Sequence, residues 1–586
     1  MKKRYIKILS FILALLSFWT VASVDGLGYT YDHKGNVIYS TEGLTVNQTP
    51  YIYSDLGIDS VSKFSNPTDL FVYTHHETDE KILYLLDGGS QSKKVASTLF
   101  ILNDQLKVQQ EITHFVYNPA NFDDETLLAI KSLGQTVVSS RESTDEIKTD
   151  TNGVCELDSG FNSLEELKSF DLVKLYLNEA SAVYRSYKRN SLPYTDYLYI
   201  CDKENNQVLV IDYETYDSNL GTFEIVQIIT TPKEENVKFR PSKTIVDAAG
   251  RIYVIASDVG DGIMEFSADG SFNRYVGTNY TSLSAWDIFW RNFSTEEQLA
   301  GENLILQTSF TGMAYKNNMI YATSYAIRNG NTITDDKNMI KKINPSGKDV
   351  LRRNGYTVPM GDYKYSRTRI KEDDAYGPSN LECITVNEYG AYTVVDSTRD
   401  RLFTYDNEGN LLYISGGTGT QVDKISSPKA IQYLGENLLV LDSDKKVIII
   451  FEPTDIAKVI NKAVQCEYEG RADDEIVNGE VVRGAAYYWE QVIELNANYE
   501  YAYIGIGKKY MNNKDYKNAM YYFELGFDTN YYGKAYKQYR DGIIKQYFAP
   551  VMITLIALIV GLSIYKRIRK KKLGIKDEEM TGIGDE

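Results

Sequence analysis

Cysteine and histidine are nearly absent, with 4 of each in 586 residues. Cys155, Cys201, Cys383 and Cys466 lie far apart with no CxxC pair, which excludes a disulfide framework and a zinc-ligand pattern. The histidines are His33, His75, His76 and His114. The His75-His76 pair has no third ligand near it in sequence, so a solvated loop pair is expected rather than a metal site. So few histidines, and no GxSxG motif, leave serine hydrolysis without its parts. Basic residues fall short of acidic ones, for a formal net charge of −17. A nucleic-acid backbone needs a basic face, so nucleic acid is excluded as a partner. No catalytic, cofactor-binding or metal-ligating set emerges.

Long apolar runs stand only at the two ends. Lys2, Lys3, Arg4 and Lys7 precede an uncharged run from Ile8 to Val24. That is the pattern of a signal peptide over residues 1–24, with an uncleaved anchor as the alternative. At the other end "QYFAPVMITLIALIVGLSIY", residues 546–565, matches a bilayer core of about 20 helical residues. Lys566, Arg567, Arg569, Lys570, Lys571 and Lys572 follow at once, and such a flank stays cytoplasmic. The expectation is one membrane helix, a cytoplasmic tail over 566–586 and an extracytoplasmic bulk.

Tyrosine is abundant, at 48 residues, and it suits strands. The stretch "GAYTVVDSTRDRLFTYDNEGNLLYISGG", Gly390 to Gly417, alternates short period-2 strands with polar turns. Similar units begin near Pro67, Pro193, Pro241, Thr311, Pro378 and Pro428. Three or four short strands repeated about six times predict a mainly β chain folded as a six-bladed β-propeller over residues 28–453. Asp396 falls where a strand ends, and Asp87, Asp202, Asp258 and Asp442 take the same place in other units. A carboxylate repeated once per blade is a turn acceptor rather than a catalyst.

Ile384, Val386, Gly390, Tyr392, Val394, Asp396, Arg401 and Leu402 resemble the NHL repeat. That likeness implies that Arg401 takes the repeat's basic position, stacked between blades. Two insertions are expected. Residues 121–189 include the helix-like "SLEELKSFDLVKLYLNEASAVYRSY", in which Leu167, Phe170, Leu172, Val173 and Leu177 keep rough helical spacing. Residues 279–301 carry Trp286, Phe289, Trp290 and Phe293 on one helical face. That face either packs on its own propeller or forms an aromatic docking surface.

After Pro453 the period turns helical. Ala485 and Trp489 recur as Ala519 and Phe523, a spacing of 34, with Gly507 and Tyr510 between. Residues 454–545 resemble tetratricopeptide repeats, about one and a half to two of them, fewer than stand alone. They are expected to lean on the propeller or on the last helix. "GYTYDHKGNVIYS", Gly28 to Ser40, has strand and turn chemistry, and is expected to close the ring by pairing beside Val447–Phe451 in the sixth blade.

The whole layout resembles a group of NHL-repeat proteins of Gram-positive bacteria that sit beside carbohydrate ABC transporter components. Some of that group are labelled gluconolactonase by loose similarity. The resemblance implies a membrane-anchored extracytoplasmic binding scaffold, with a protein partner such as components of that transporter. A lactonase-type hydrolase is the alternative. It would need a divalent metal such as calcium held by oxygens from several blades, and no such set can be named from the residues.

Overall fold

The computed structural model describes residues 29–572 except 40–41, 140–147, 153, 157–159, 189–194, 233–238, 258, 279–309, 330–331, 366–376, 420 and 422–423. The chain divides into two compact units, Met1–Glu469 and Gly470–Glu586.

The first unit is a six-bladed β-propeller. Blade one holds Pro67–Thr74, Lys81–Asp87, Thr98–Leu102 and Val108–Ile112 in antiparallel order. Blades two, three and five repeat that meander, starting at Ala182–Lys188, Pro241–Val246 and Leu381–Val386. Blade four has three strands among the described residues, Phe310–Lys316, Met319–Ser324 and Ile340–Ile343. Blade six has Pro428–Leu434, Asn437–Asp442 and Val447–Pro453. Each first strand neighbours the first strand of the next blade, and blade six meets blade one, so the ring is closed. Apolar side chains fill the spaces between blades. Leu70, Leu83 and Phe100 of blade one pack with Leu439, Leu441 and Ile448 of blade six, for example.

One turn recurs around the ring. In Asp247–Arg251, Asn387–Ala391 and Asp406–Asn410 the first side chain accepts from the backbone N–H groups two and four residues on. Gly250, Gly390 and Gly409 supply the positive φ that this hairpin turn needs. The strand-end aspartates act differently. Asp396 accepts from Asn380 N–H at 3.0 Å and Thr398 N–H at 2.9 Å, and Asp442 accepts from Ser426 N–H at 2.7 Å. Asp87 likewise takes Asn66 N–H at 2.8 Å. Each carboxylate thus ties the end of a second strand to the segment leading into the first strand of its own blade. Burial pushes the Asp202 carboxyl up to about 7, against hydrogen bonds from Asn178, Asn205 and Gln207 that favour its charged form. Asp258 lies outside the described residues.

Three expectations need correction. The outer strand of blade six does come from the N-terminal side, but it is Leu44–Thr45, paired with Pro453 and Glu452. Tyr51 adds a bridge to Ile448. The stretch expected to do this instead folds on itself, pairing Tyr29–Tyr31 with Val37–Tyr39. Its sequence explains why: "YTYDHKGNVIY" matches "FTYDNEGNLLY" of blade five at six of eleven positions, and it makes the same turn, with Asp32 accepting from Lys34 and Asn36 N–H. The two strands pair with each other, and Tyr29 and Tyr31 are buried among blade-five residues.

Blade two begins at Ala182 rather than near Pro193, so the insertion ends earlier than expected. Most of the insertion is also not helical. A single turn spans Leu164–Leu167, and Val173–Leu175 forms a strand between Phe115–Tyr117 and Cys155–Glu156. Val173, Leu175 and Leu177 are all buried, so the working period there was two rather than 3.6.

From blade six the chain enters helix α1, Asp455–Tyr468, where Thr454 Oγ1 caps Ala457 N–H. In the second unit, helices α2 (Ala485–Leu495), α3 (Glu500–Asn512), α4 (Tyr516–Leu525) and α5 (Thr529–Lys572) pack each on the next. Trp489, Ala519 and Phe523 are fully buried. A methyl group on Gly507 would come within 2.6 Å of the Phe523 ring, so only glycine lets α3 and α4 approach. The Tyr510 ring stacks on Tyr522 at 5.2 Å. Helix α5 is long and apolar enough to cross a membrane.

Candidate functional site: the central channel

The six first strands surround a cavity of about 690 Å³ on the ring axis. A repeated irregularity shapes its wall. The pairing of first and second strands slips by one residue at Pro67/Asp69, Pro241/Lys243, Phe310/Gly312, Leu381/Cys383 and Pro428/Ala430. A bulge re-aims the side chains beside it. Where the extra residue bears a hydroxyl, that group bonds to main chain. Thr68 donates to Ala180 O of the segment leading into blade two, Ser242 to Ile255 O within blade three, and Thr311 to Leu381 O of blade five.

The residue after each bulge lines one end of the cavity: Asp69, Lys243, Gly312, Cys383 and Ala430. Lys243 Nζ of blade three meets Asp69 Oδ1 of blade one at 2.6 Å. Asp69 Oδ2 accepts from Val183 N–H of blade two at 2.9 Å, so one carboxylate joins three consecutive blades. Burial would lower the Lys243 pKa, but the Asp69 carboxylate more than offsets it and holds the ammonium above its ordinary value. On blade five, burial pushes the Cys383 thiol up to about 12, and its Sγ donates to Lys429 O. A neutral thiol of that kind is no nucleophile.

Most other charges in the wall are also paired. The Arg185 guanidinium lies between the Tyr73 and Tyr213 rings, 4.2 and 3.6 Å from their centroids, and bonds to Asp196. Asp247 holds Arg251 at 2.6 Å, and Lys316 meets Glu388 at 2.7 Å. The other end of the cavity is bounded by the turns that follow the first strands, with Asp79, Lys81, Asn317, Asn318, Asn387 and Gly435. Tyr468 OH, on the last residue of α1, accepts from Asn317 Nδ2 at 2.9 Å, so the chain leaves the propeller at this rim.

The Asp69 and Asp247 carboxylates are already committed and are poor ligands for a divalent cation. Such an ion would need several uncommitted oxygens from separate blades. Both Asp69 oxygens are taken, by Lys243 and Val183, and Asp247 is shared between its own turn and Arg251. Among the described residues no group of three His, Cys, Asp or Glu side chains could hold a metal.

Arg401 stacks against the N-terminal hairpin. It lies 5.0 Å from the Tyr29 ring centroid and bonds to Asp362 at 3.0 Å. Tyr29, Tyr31, Arg399 and Arg401 all reach Asp362, which pins the hairpin beside blade five. Asp396 is fully buried and bonds Arg399 at 3.1 Å, away from the cavity wall. Trp286, Phe289, Trp290 and Phe293 lie outside the described residues. The Asp69–Lys243 pair went unread in the sequence. Its signal was the shared position, two residues after the lead-in prolines Pro67 and Pro241.

The first unit is thus a six-bladed propeller with a polar axial cavity. No family model matches the chain, and no curated protein matches it. Several solved structures align with the chain. Virginiamycin B lyase from Staphylococcus aureus aligns with a TM-score of 0.33 at 8% identity, over 70% of this chain and 99% of that one. The PQQ-bound aldose sugar dehydrogenase from Streptomyces coelicolor aligns with a TM-score of 0.30 at 9% identity, over 70% and 97%. The Malassezia sympodialis allergen Mala s 1 aligns with a TM-score of 0.27 at 13% identity, over 50% and 85%.

Proposed function

We propose that the chain is an extracytoplasmic binding protein, anchored by residues 546–565 of α5, whose axial cavity takes an uncharged polyhydroxylated solute. In this reading the blades are of NHL type, the helices of the second unit are tetratricopeptide-like, and a carbohydrate ABC transporter is the partner. The NHL, tetratricopeptide and transporter assignments rest on the sequence resemblance. The ligand class rests on the cavity wall. Its volume falls within the 300–1,000 Å³ or so typical of ligand sites. The ion pairs of Asp69, Arg185, Asp247 and Lys316 cancel charge inside the wall. Away from Asp79 and Lys81 at the rim, a charged ligand would have to break one of them, whereas hydroxyls can share the amides of Asn317, Asn387 and Gln432.

Equilibrium dialysis of the full chain in detergent against cellobiose and maltose tests the ligand class. Binding of at least one, unaffected by salt, is expected, and binding of neither overturns the reading. Topology is tested separately. Protease added to intact protoplasts should remove the propeller, because the basic run after Tyr565 stays inside. Cleavage of the tail alone would reverse the orientation.

A further inference from the structure

A second cavity of about 210 Å³ lies in the cleft between blades two and three. It shares Ser186, Val246, Asp247 and Ala248 with the axial cavity, so the two spaces adjoin along one stretch of wall. Its own lining comes from Tyr197, Tyr199, Val210, Val226 and Gln227 of blade two and from the turn residues Gly250 and Ala268 of blade three. At that size it is too small to be a ligand site alone, but as a continuation it lengthens the axial one outwards. Its walls combine phenol rings, a primary amide and small turn residues, with Asp247 at the junction already held by Arg251. Tyr197 and Tyr199 both line this space, and Tyr199 is largely buried.

We infer that this cleft is a second subsite, and that the ligand is a linear oligosaccharide running from the axis outwards between blades two and three. The inference rests on the axial cavity binding a neutral sugar. A chain of rings suits it because each added sugar presents a flat apolar face for stacking on tyrosine and hydroxyls for the Gln227 amide. The position of the cleft also fixes direction, since one end of the chain stays on the axis and the other leaves past Val226 and Ala268, which are exposed.

The test compares cellobiose and maltose with cellohexaose and maltohexaose, by dialysis against the full chain in detergent. In one linkage series the hexamer is expected to bind about tenfold or more tighter than the disaccharide, as added contacts accumulate. Ala268→Trp fills the cleft from an exposed turn position, and should bring the hexamer down to the disaccharide's affinity. Gln227→Ala, which removes only the amide, should weaken the hexamer in the same direction. Equal affinities for disaccharide and hexamer, or a hexamer indifferent to Ala268→Trp, overturn the second subsite while leaving the axial one standing. Binding of no sugar in either series overturns both.

Discussion

Deleting residues 29–52 from the chain, with residues 1–28 joined directly to Tyr53, is expected to abolish cooperative melting of the propeller and to promote self-association. The deletion removes Leu44–Thr45, the outer strand of blade six, and the Tyr51 bridge to Ile448. Val447–Pro453 then becomes an open strand of seven mostly buried residues, a ready template for another chain. The loss extends beyond those hydrogen bonds. Leu44 is 2% exposed, and Leu44 N–H donates to Ser415 Oγ of blade five, so this segment also ties blade five to blade six. Leu44→Ala alone should cost about 2–4 kcal/mol, read as a lower midpoint in thermal melts of the first unit. A deletion variant that stayed monomeric with the parent midpoint would show that the ring holds without this seam.

That seam was legible only in outline. The sixth unit runs out of strand after Pro453, so a strand from elsewhere was required. Which residues supplied it was not readable, because Leu44 and Thr45 are too few to show alternation. The better strand former, Tyr29 to Tyr39, had already found its pairing within itself. Blade five was plain because its turn residues, Gly390, Asp406 and Gly409, sit at fixed offsets between clean period-2 runs. Blade two was hidden because Val173, Leu175 and Leu177, followed by Ala182 to Lys188, can be read at either period over a short window. The Asp69–Lys243 contact spans 174 residues, and its one local mark is the shared place two residues after a proline. It becomes visible only once the bulges align the third residue of each first strand. The cleft between blades two and three is further still from the sequence, since it depends on how two blades splay.

Trp489→Ala should destabilise the second unit by about 3–5 kcal/mol, as expected for truncating a fully buried aromatic. The Trp489 ring lies parallel to Tyr499 at 6.3 Å and edge-on to Tyr501 at 5.3 Å, so it fills the angle between α2 and α3. The surface it packs on is glycine. A methyl group on Gly505 would stand 2.1 Å from the indole Cδ1, a distance no real contact tolerates. Gly505→Ala in the parent chain should therefore also be severely destabilising, because either the ring or helix α3 must move. The two substitutions together should cost less than their sum. Removing the indole opens the space the new methyl needs, and alanine in place of glycine favours the helix by about 0.8–1.0 kcal/mol. Two residues in direct contact typically show coupling of about 0.5–3 kcal/mol. Chemical denaturation of the second unit in all four chains measures that coupling. Strict additivity would place Trp489 away from Gly505 and break the packing of α2 on α3, whereas a favourable coupling above about 1 kcal/mol fixes ring and glycine as one interlocking pair.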